Sequence, residues 1–131
     1  MEAPRKPIAD GISIIPTKKG EFLRTWLEMM RPFHHLTPRE MDFAAVMIAK
    51  REEIAKDVTD QAKIDKLLFE EETKEDIMNE AGVTKTHMQM ILRSMRANGV
   101  IQGRRFNPSY LPSWTPGKPF RMVFVFKISE D

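Results

Sequence analysis

The 131-residue sequence contains no cysteine, and no apolar run in it approaches the length of a membrane span. The lack of cysteine excludes a disulfide scaffold and a thiolate zinc site, and it suits a reducing compartment. A membrane helix needs about 20 apolar residues in succession, and the opening MEAPRKPIADG lacks the apolar core of a secretory signal. We therefore expect a soluble, cytoplasmic protein that has no membrane partner.

Acidic side chains are missing from one long part of the chain. Between residues 81 and 129 there are eight basic residues and no acidic ones, whereas residues 39–80 carry a net charge of −6. The overall charge of +2 conceals this asymmetry. A positive field at one end of a protein attracts phosphate groups. The alternative is that the two parts neutralise each other, either within one fold or across a dimer.

Residues 1–36 are predicted to form an N-terminal arm and a short amphipathic helix. Three prolines fix φ and remove backbone donors in residues 1–19, which favours an arm or an edge strand over a helix. Helical spacing begins after Glu21, and Pro32 is predicted to end it. The apolar residues at that spacing are Phe22, Leu23, Trp26, Leu27 and Met30.

Residues 37–131 are predicted to form one further domain, which opens with a strong helix signal. Thr37 can cap a helix, Pro38 takes its first position, and Glu40 follows three residues after the cap. This arrangement is a capping box, and the helix is expected to reach about Lys56.

A second helical stretch is predicted over residues 60–71. Its periodicity turns Ile64, Leu67 and Leu68 toward a core and leaves its charged residues in solvent. The run of three glutamates at residues 70–72 is predicted to form a solvated turn.

The segment from Thr73 to Ile101 indicates two helices joined by a tight turn. The first is predicted to begin at Thr73, with Asp76 three residues later. Gly82 supplies the left-handed residue at which the chain leaves that helix, and Thr84 caps the next one. Two short helices joined by a glycine-containing turn form a helix-turn-helix. The buried stripe of the second helix is predicted to be Met88, Ile91, Leu92 and Met95.

The second of these helices leaves a basic face for a partner. Thr86 and His87 lie near its N-terminus, the end that such helices direct into the major groove. Arginine and glutamine can make paired hydrogen bonds to base edges, and basic side chains also bind phosphates. An ordinary surface helix would have a polar side too, but it would usually mix both signs of charge. The residues predicted on the exposed side are Lys85, Gln89, Arg93 and Arg96.

A hairpin is predicted to follow, with one strand beginning at Val100 and a return strand over residues 120–128. The return strand shows the period-two alternation of apolar side chains that is typical of strands. Tyr110 and Trp114, in the long loop between the strands, are expected to fold back over the core. The basic residues of that loop, which we expect to contact an anion, are Arg104, Arg105 and Lys118.

The order of these elements resembles the winged helix-turn-helix superfamily of bacterial and phage regulators. A closer resemblance is to the winged-helix replication and regulatory proteins of plasmids and phages. It is carried by the helix end at residues 99–101 (GVI), the basic step at residues 104–106 (RRF) and Asn107-Pro108. The resemblance covers Thr73 to about Tyr110 well, and the helix that begins at Pro38 loosely.

This resemblance implies a mainly α fold with a small β-hairpin, that is, an α+β winged helix-turn-helix domain over residues 37–131. By analogy with the family, Arg104 and Arg105 would act in the wing. The residues that would read DNA by the same analogy are Lys85, Thr86, Gln89 and Arg93.

Metal binding and catalysis find little support in the sequence. His34 and His35 are adjacent, so their side chains diverge on a helix, and His87 is remote in sequence. There is no phosphate-cradling glycine loop and no nucleophile with a matching base. We expect no enzyme activity, no cofactor and no metal.

Two functions remain open at this stage. The first is a double-stranded DNA-binding protein, either a transcriptional regulator or a replication initiator, encoded by a phage or mobile element and acting in the bacterial cytoplasm. The second is a winged helix used for protein docking, as a structural component of a phage particle or nucleoprotein assembly. A homodimer or other protein subunits would be compatible with either function.

Overall fold

The computed structural model describes residues 14–131, and most of them are helical. A small antiparallel sheet pairs β1 (Ile101–Gln102) with β2 (Arg105–Phe106). This arrangement confirms the mainly α class with a β-hairpin. The part of the predicted N-terminal arm that spans residues 1–13 lies outside the described residues. The helices are α1 (Phe22–Met29), α2 (Arg31–His34), α3 (Pro38–Ala55), α4 (Gln61–Leu68), α5 (Glu71–Ala81) and α6 (Lys85–Ala97), with 3₁₀ turns at Lys19–Glu21 and Pro108–Tyr110.

The amphipathic helix predicted after Glu21 is present as α1, but Pro32 does not end the helical region. Pro32 lies in the first turn of α2, where its missing N–H costs no hydrogen bond. The chain leaves α2 at His35, which has a left-handed φ of 54°. α1 buries Trp26 and Leu27 against the rest of the protein.

The capping box at the start of α3 is confirmed. The Glu40 amide donates to the Thr37 hydroxyl oxygen at 3.2 Å, and the Thr37 amide donates to a Glu40 carboxylate oxygen at 2.9 Å. α3 extends over 18 residues. Its buried side contributes to the apolar core Met41, Phe43, Ala44, Met47 and Ile48.

The boundary between α4 and α5 differs from the prediction. Glu70 is the residue that precedes α5, and Glu71 and Glu72 form its first turn, so the three glutamates begin a helix. Thr73 therefore lies inside α5 and does not cap it. Carboxylates in the first turn of a helix interact favourably with the positive end of its dipole. That interaction explains why the glutamates occupy this position.

α4 also buries a charge that the periodicity assigned to solvent. Asp65 is buried, and its Oδ1 atom accepts hydrogen bonds from Arg51 Nε at 2.9 Å and from the Phe106 amide at 3.4 Å. Ile64 and Leu68 are buried as predicted, whereas Leu67 is only half-buried. A buried carboxylate is tolerated when it is paired and hydrogen-bonded. The Asp65 side chain thus joins α3, α4 and β2.

The apolar core connects α1 with the segment that follows the hairpin. Trp26 Nε1 donates to the Tyr110 carbonyl at 3.1 Å, and Trp114 Nε1 donates to Glu52 Oε2 of α3 at 2.7 Å. The expectation that Tyr110 and Trp114 fold back over the core is confirmed. Phe120 then meets Trp26 edge to face, with 5.6 Å between ring centroids.

The predicted return strand over residues 120–128 is wrong. β1 pairs with β2 through the two-residue turn Gly103–Arg104, and residues 119–131 include no strand. Gly103 has φ of 65°, and a two-residue hairpin turn favours glycine at its first central position for this reason. The hairpin therefore closes locally, and Phe120 and Met122 pack against the core instead.

Candidate nucleic-acid interface

The turn between α5 and α6 sets the angle at which α6 leaves the core. Gly82 has φ of 69° at the end of α5, as predicted from its position. The Val83 amide donates to the Met78 carbonyl at 3.2 Å, which closes the end of α5. Thr84 then caps α6 by accepting a hydrogen bond from the His87 amide at 3.2 Å. The two predicted helices and the glycine-containing turn between them are therefore present, an arrangement compatible with a helix-turn-helix.

α6 buries one side and exposes a basic face on the other. The predicted stripe of Met88, Ile91, Leu92 and Met95 is buried. The side chains predicted for a partner point away from it. Those in solvent are Lys85, Thr86, Gln89, Arg93 and Arg96, while His87 is half-buried.

The hairpin lies against the C-terminal part of α6. Arg96 Nε donates to the Gly103 carbonyl at 3.2 Å. Arg96, which was predicted to contact a partner, thus uses one of its donors to hold the hairpin turn. Arg104, in the turn, and Arg105, in β2, are both exposed. On the opposite side of the hairpin, the hydrogen bond from the Phe106 amide to Asp65 fixes β2 to α4. The hairpin is therefore attached to helices at both of its sides.

Glu71, in the first turn of α5, is the acid of this region that is paired within the protein. Lys74 Nζ lies 2.9 Å from Glu71 Oε1. The hydrogen bond from Lys74 and, more weakly, the charges of Lys85 and Arg104 lower the pKa of Glu71.

The basic residues of this surface are not used in ion pairs by the described part of the chain. The seven ion pairs between residues 14 and 131 involve other cations. The charges of α6 and the hairpin are therefore available for an anionic partner. The residues concerned are Lys85, Arg93, Arg96, Arg104 and Arg105.

Lys118 is not brought to this surface. It lines a groove beside α1, together with Phe22 and Trp114. The sequence prediction placed Lys118 in a long wing, but the hairpin closes at Phe106 and the following chain crosses to α1. A contact between Lys118 and the partner of α6 therefore finds no support in the geometry.

A second groove, between α3 and α6, contains residues that sequence reasoning missed. Arg39, at the start of α3, shares this groove with His87 and Arg93 of α6. Met90 also lines it and is 61% exposed, outside the buried stripe. A cation in the first turn of a helix opposes the helix dipole. That unfavourable position of Arg39 is the sequence signal that could have identified it.

The floor of this groove carries a carboxylate that is bonded within the protein. The pKa of Glu40 is lower than its usual value. Burial alone would raise it, but the polar groups of Ser94 and Thr37 and the nearby charge of His87 together have the larger effect. The ionised form of Glu40 is therefore favoured, and its carboxylate accepts the Thr37 amide at 2.9 Å. Two arginines, Arg39 and Arg93, and this one carboxylate line the groove, so its net charge is positive.

The histidine pair has a structural position. His34 is buried between the Leu27 carbonyl, 2.7 Å from Nε2, and the Leu36 amide, which donates to Nδ1 at 3.0 Å. Both ring nitrogens are thereby occupied, and His35 is exposed. Among the described residues, no group of three or more histidine, aspartate or glutamate side chains is arranged to hold a metal.

The chain matches no family model, and comparison with curated proteins and with solved structures gives no match either. Within residues 14–131, every helix is too short or too polar to cross a membrane.

Proposed function

We propose that the protein binds double-stranded DNA through α6 and the hairpin. The observation that carries this proposal is the exposed basic face that the two elements share. Arg96 of α6 holds the hairpin turn through the Gly103 carbonyl at 3.2 Å. Lys85 and Arg104 are both exposed, and neither is in an ion pair within residues 14–131. Phosphates supply most of the affinity of such surfaces, and base edges supply the specificity.

Each part of the surface has a separate task in this proposal. α6 enters the major groove, where Gln89 and Arg93 face the base edges. Met90, exposed beside them, suits apolar contact with a thymine methyl group. Arg104 and Arg105 bind the phosphate backbone next to the groove, and Arg39 extends the contact on the other side of α6.

We place the protein among regulators or replication initiators of phages and mobile elements, with no enzyme activity of its own, in the cytoplasm. This assignment follows the resemblance of residues 73–110 to winged-helix proteins. The same fold also serves protein docking. The exposed Met90 and the carboxylate of Glu71 at the border of the surface favour that second function.

Binding to random-sequence duplex across a range of salt concentrations tests the proposal. The logarithm of the affinity should fall linearly with the logarithm of the salt concentration. Each lost phosphate contact should reduce that slope by about one. We therefore expect a reduction of about one for Arg39→Ala and about two for Arg104→Ala/Arg105→Ala, the residues assigned to the phosphate backbone.

The matched control is Lys56→Ala, which removes an exposed cation just after the far end of α3. It lies 17 residues beyond Arg39, or about 25 Å along the helix. Its slope should equal that of the unmodified protein. Equal slopes for all variants, or no binding to duplex at low salt, would refute the proposal and leave protein docking as the function.

A further inference from the structure

Residues 123–128 carry large apolar side chains that the described chain leaves in solvent. Val123 is 83% exposed, Val125 87%, Phe126 83% and Ile128 88%. Isolated apolar residues are common on protein surfaces, but a contiguous run of them marks an interaction site. The run therefore requires a partner that covers it.

The backbone of this run is unpaired as well. Residues 119–131 make no backbone-to-backbone hydrogen bond with any residue from 14 to 131. The alternation of phenylalanine with valine is typical of a strand. A segment with unpaired amides and carbonyls is a template for another strand. A second strand is therefore the partner whose chemistry fits the segment.

One end of the segment is fixed to the body of the protein. Phe120 packs against Trp26, and Phe124 stacks on Phe33 with 6.5 Å between ring centroids and 2° between ring planes. Val125 and the residues after it continue beyond this contact into solvent. The segment is therefore held in a defined direction before it meets its partner.

The charges along the segment identify that partner. Arg121 lies at its start, and Glu130 and Asp131, the only acids after residue 80, lie at its end. An antiparallel alignment of two copies places each Arg121 opposite Glu130 or Asp131 of the other copy. A parallel alignment would place like charges together, which is unfavourable between strands.

We propose that two copies of this chain associate by antiparallel pairing of residues 121–131 around a twofold axis near Val125 and Phe126. Such a contact is self-complementary and closed, so it yields a dimer and not a filament. The pair buries the valine and phenylalanine side chains and completes the backbone hydrogen bonds of both segments. This inference does not depend on DNA binding.

The experiment is light scattering on the eluted full chain at several protein concentrations. The unmodified protein should have about twice the 15.2 kDa mass of one chain. Val123→Lys/Val125→Lys places cations opposite the apolar Ile128 and Phe126 of the other strand and should give the mass of one chain. Both valines are almost fully exposed, so the fold should be unaffected. Ala49→Lys/Ala62→Lys adds the same charge at exposed helical positions and should leave the dimer intact.

A charge exchange tests the alignment separately. Arg121→Glu should weaken the dimer, and Arg121→Glu/Glu130→Lys/Asp131→Lys should restore it. If the unmodified protein is a monomer in solution, the proposal is overturned. The same holds if that monomer binds anionic vesicles and floats with them, because the segment would then bind lipid. A dimer that tolerates the two new lysines also overturns the proposal and would point to another surface. Failure of the charge exchange overturns the antiparallel alignment.

Discussion

The imidazole of His34 lies between a backbone carbonyl, which needs a hydrogen-bond donor, and a backbone amide, which needs an acceptor. A ring with its proton on Nε2 donates to the Leu27 carbonyl and accepts the Leu36 amide at Nδ1. Burial lowers the pKa of His34, and the Leu27 carbonyl only partly offsets this effect. Protonation would give Nδ1 a hydrogen that clashes with the Leu36 amide. The neutral form is therefore part of the folded structure.

The stability of the protein should depend on pH through this residue. The unfolded state takes up a proton near pH 6.5 and the folded state only at lower pH, so the free energy of unfolding should fall as pH drops below 6.5. Urea denaturation at several pH values between 7.5 and 5 measures this slope. His35→Asn, at an exposed position with left-handed φ, should keep it. His34→Gln should remove this dependence on pH. If the free energy of unfolding changes as little with pH in the unmodified protein as in His34→Gln, His34 is not its source.

Single residues that begin or end helices were the most predictable features of the sequence. Thr37, Gly82 and Thr84 act locally, since a cap or a left-handed turn depends on the neighbouring few residues. Asp65 was not predictable. Its partners Arg51 and Phe106 are 14 and 41 residues away, and periodicity alone assigns a carboxylate to solvent.

The hairpin depends on α4 and α6 as much as on its own two strands. Two residue pairs form a very small sheet, and isolated two-stranded hairpins are only marginally stable in water. Asp65 binds the Phe106 amide from one side, and Arg96 binds the Gly103 carbonyl from the other. The position of Arg104 and Arg105 relative to α6 follows from these two contacts.

Removal of the Asp65 carboxylate should destabilise the protein strongly. Asp65→Ala leaves the buried Arg51 guanidinium without its counter-charge, and the free energy of unfolding should decrease by about 3–5 kcal/mol. Urea denaturation measures the change. Asp57→Ala, at an exposed position, should cost less than about 0.5 kcal/mol.

A double variant tests whether the loss comes from the unpaired charge. Arg51→Met/Asp65→Leu removes both charges and should cost less than Asp65→Ala alone. An equal or larger loss would show that the hydrogen bond to the Phe106 amide, and not the charge pair, is the main contribution.

Helices were predictable where the sequence signals that define them lie within a few residues. The contacts between one element and another were not predictable in this way. The boundaries of α3 and α6 follow from caps and apolar spacing. The period-two pattern at residues 120–128 predicted a strand that is not formed, because such a pattern does not specify which strand or helix the chain meets. The glycine at position 103 closes the hairpin early, and the later segment packs on α1 instead.

In the whole molecule, Trp26 is the residue that joins the two ends of the described chain. Its indole donates to the Tyr110 carbonyl, and its ring meets Phe120 edge to face. The expected division into residues 1–36 and 37–131 stays a prediction of the sequence. α1 nevertheless contributes to the same apolar cluster as α3 and α6.

Trp26→Phe should reveal how much this connection contributes to stability. The variant keeps an aromatic ring but leaves the buried Tyr110 carbonyl without its donor, which costs about 1–3 kcal/mol. Thermal or urea denaturation measures the loss. Trp114→Phe removes a donor to Glu52 where both side chains are half-buried, so water can replace it and the loss should be smaller. A larger loss of stability for Trp114→Phe than for Trp26→Phe would contradict the assignment of Trp26 as the main connection.

The hydrogen bond between Trp26 and Tyr110 spans 84 residues, and this distance has a consequence for synthesis. A ribosome that adds 5–20 residues per second takes about 4–17 s to make the intervening chain. During that interval the indole of α1 has been made but its acceptor has not. α1 must therefore wait, with its indole donor unpaired, until the chain as far as Tyr110 has been made.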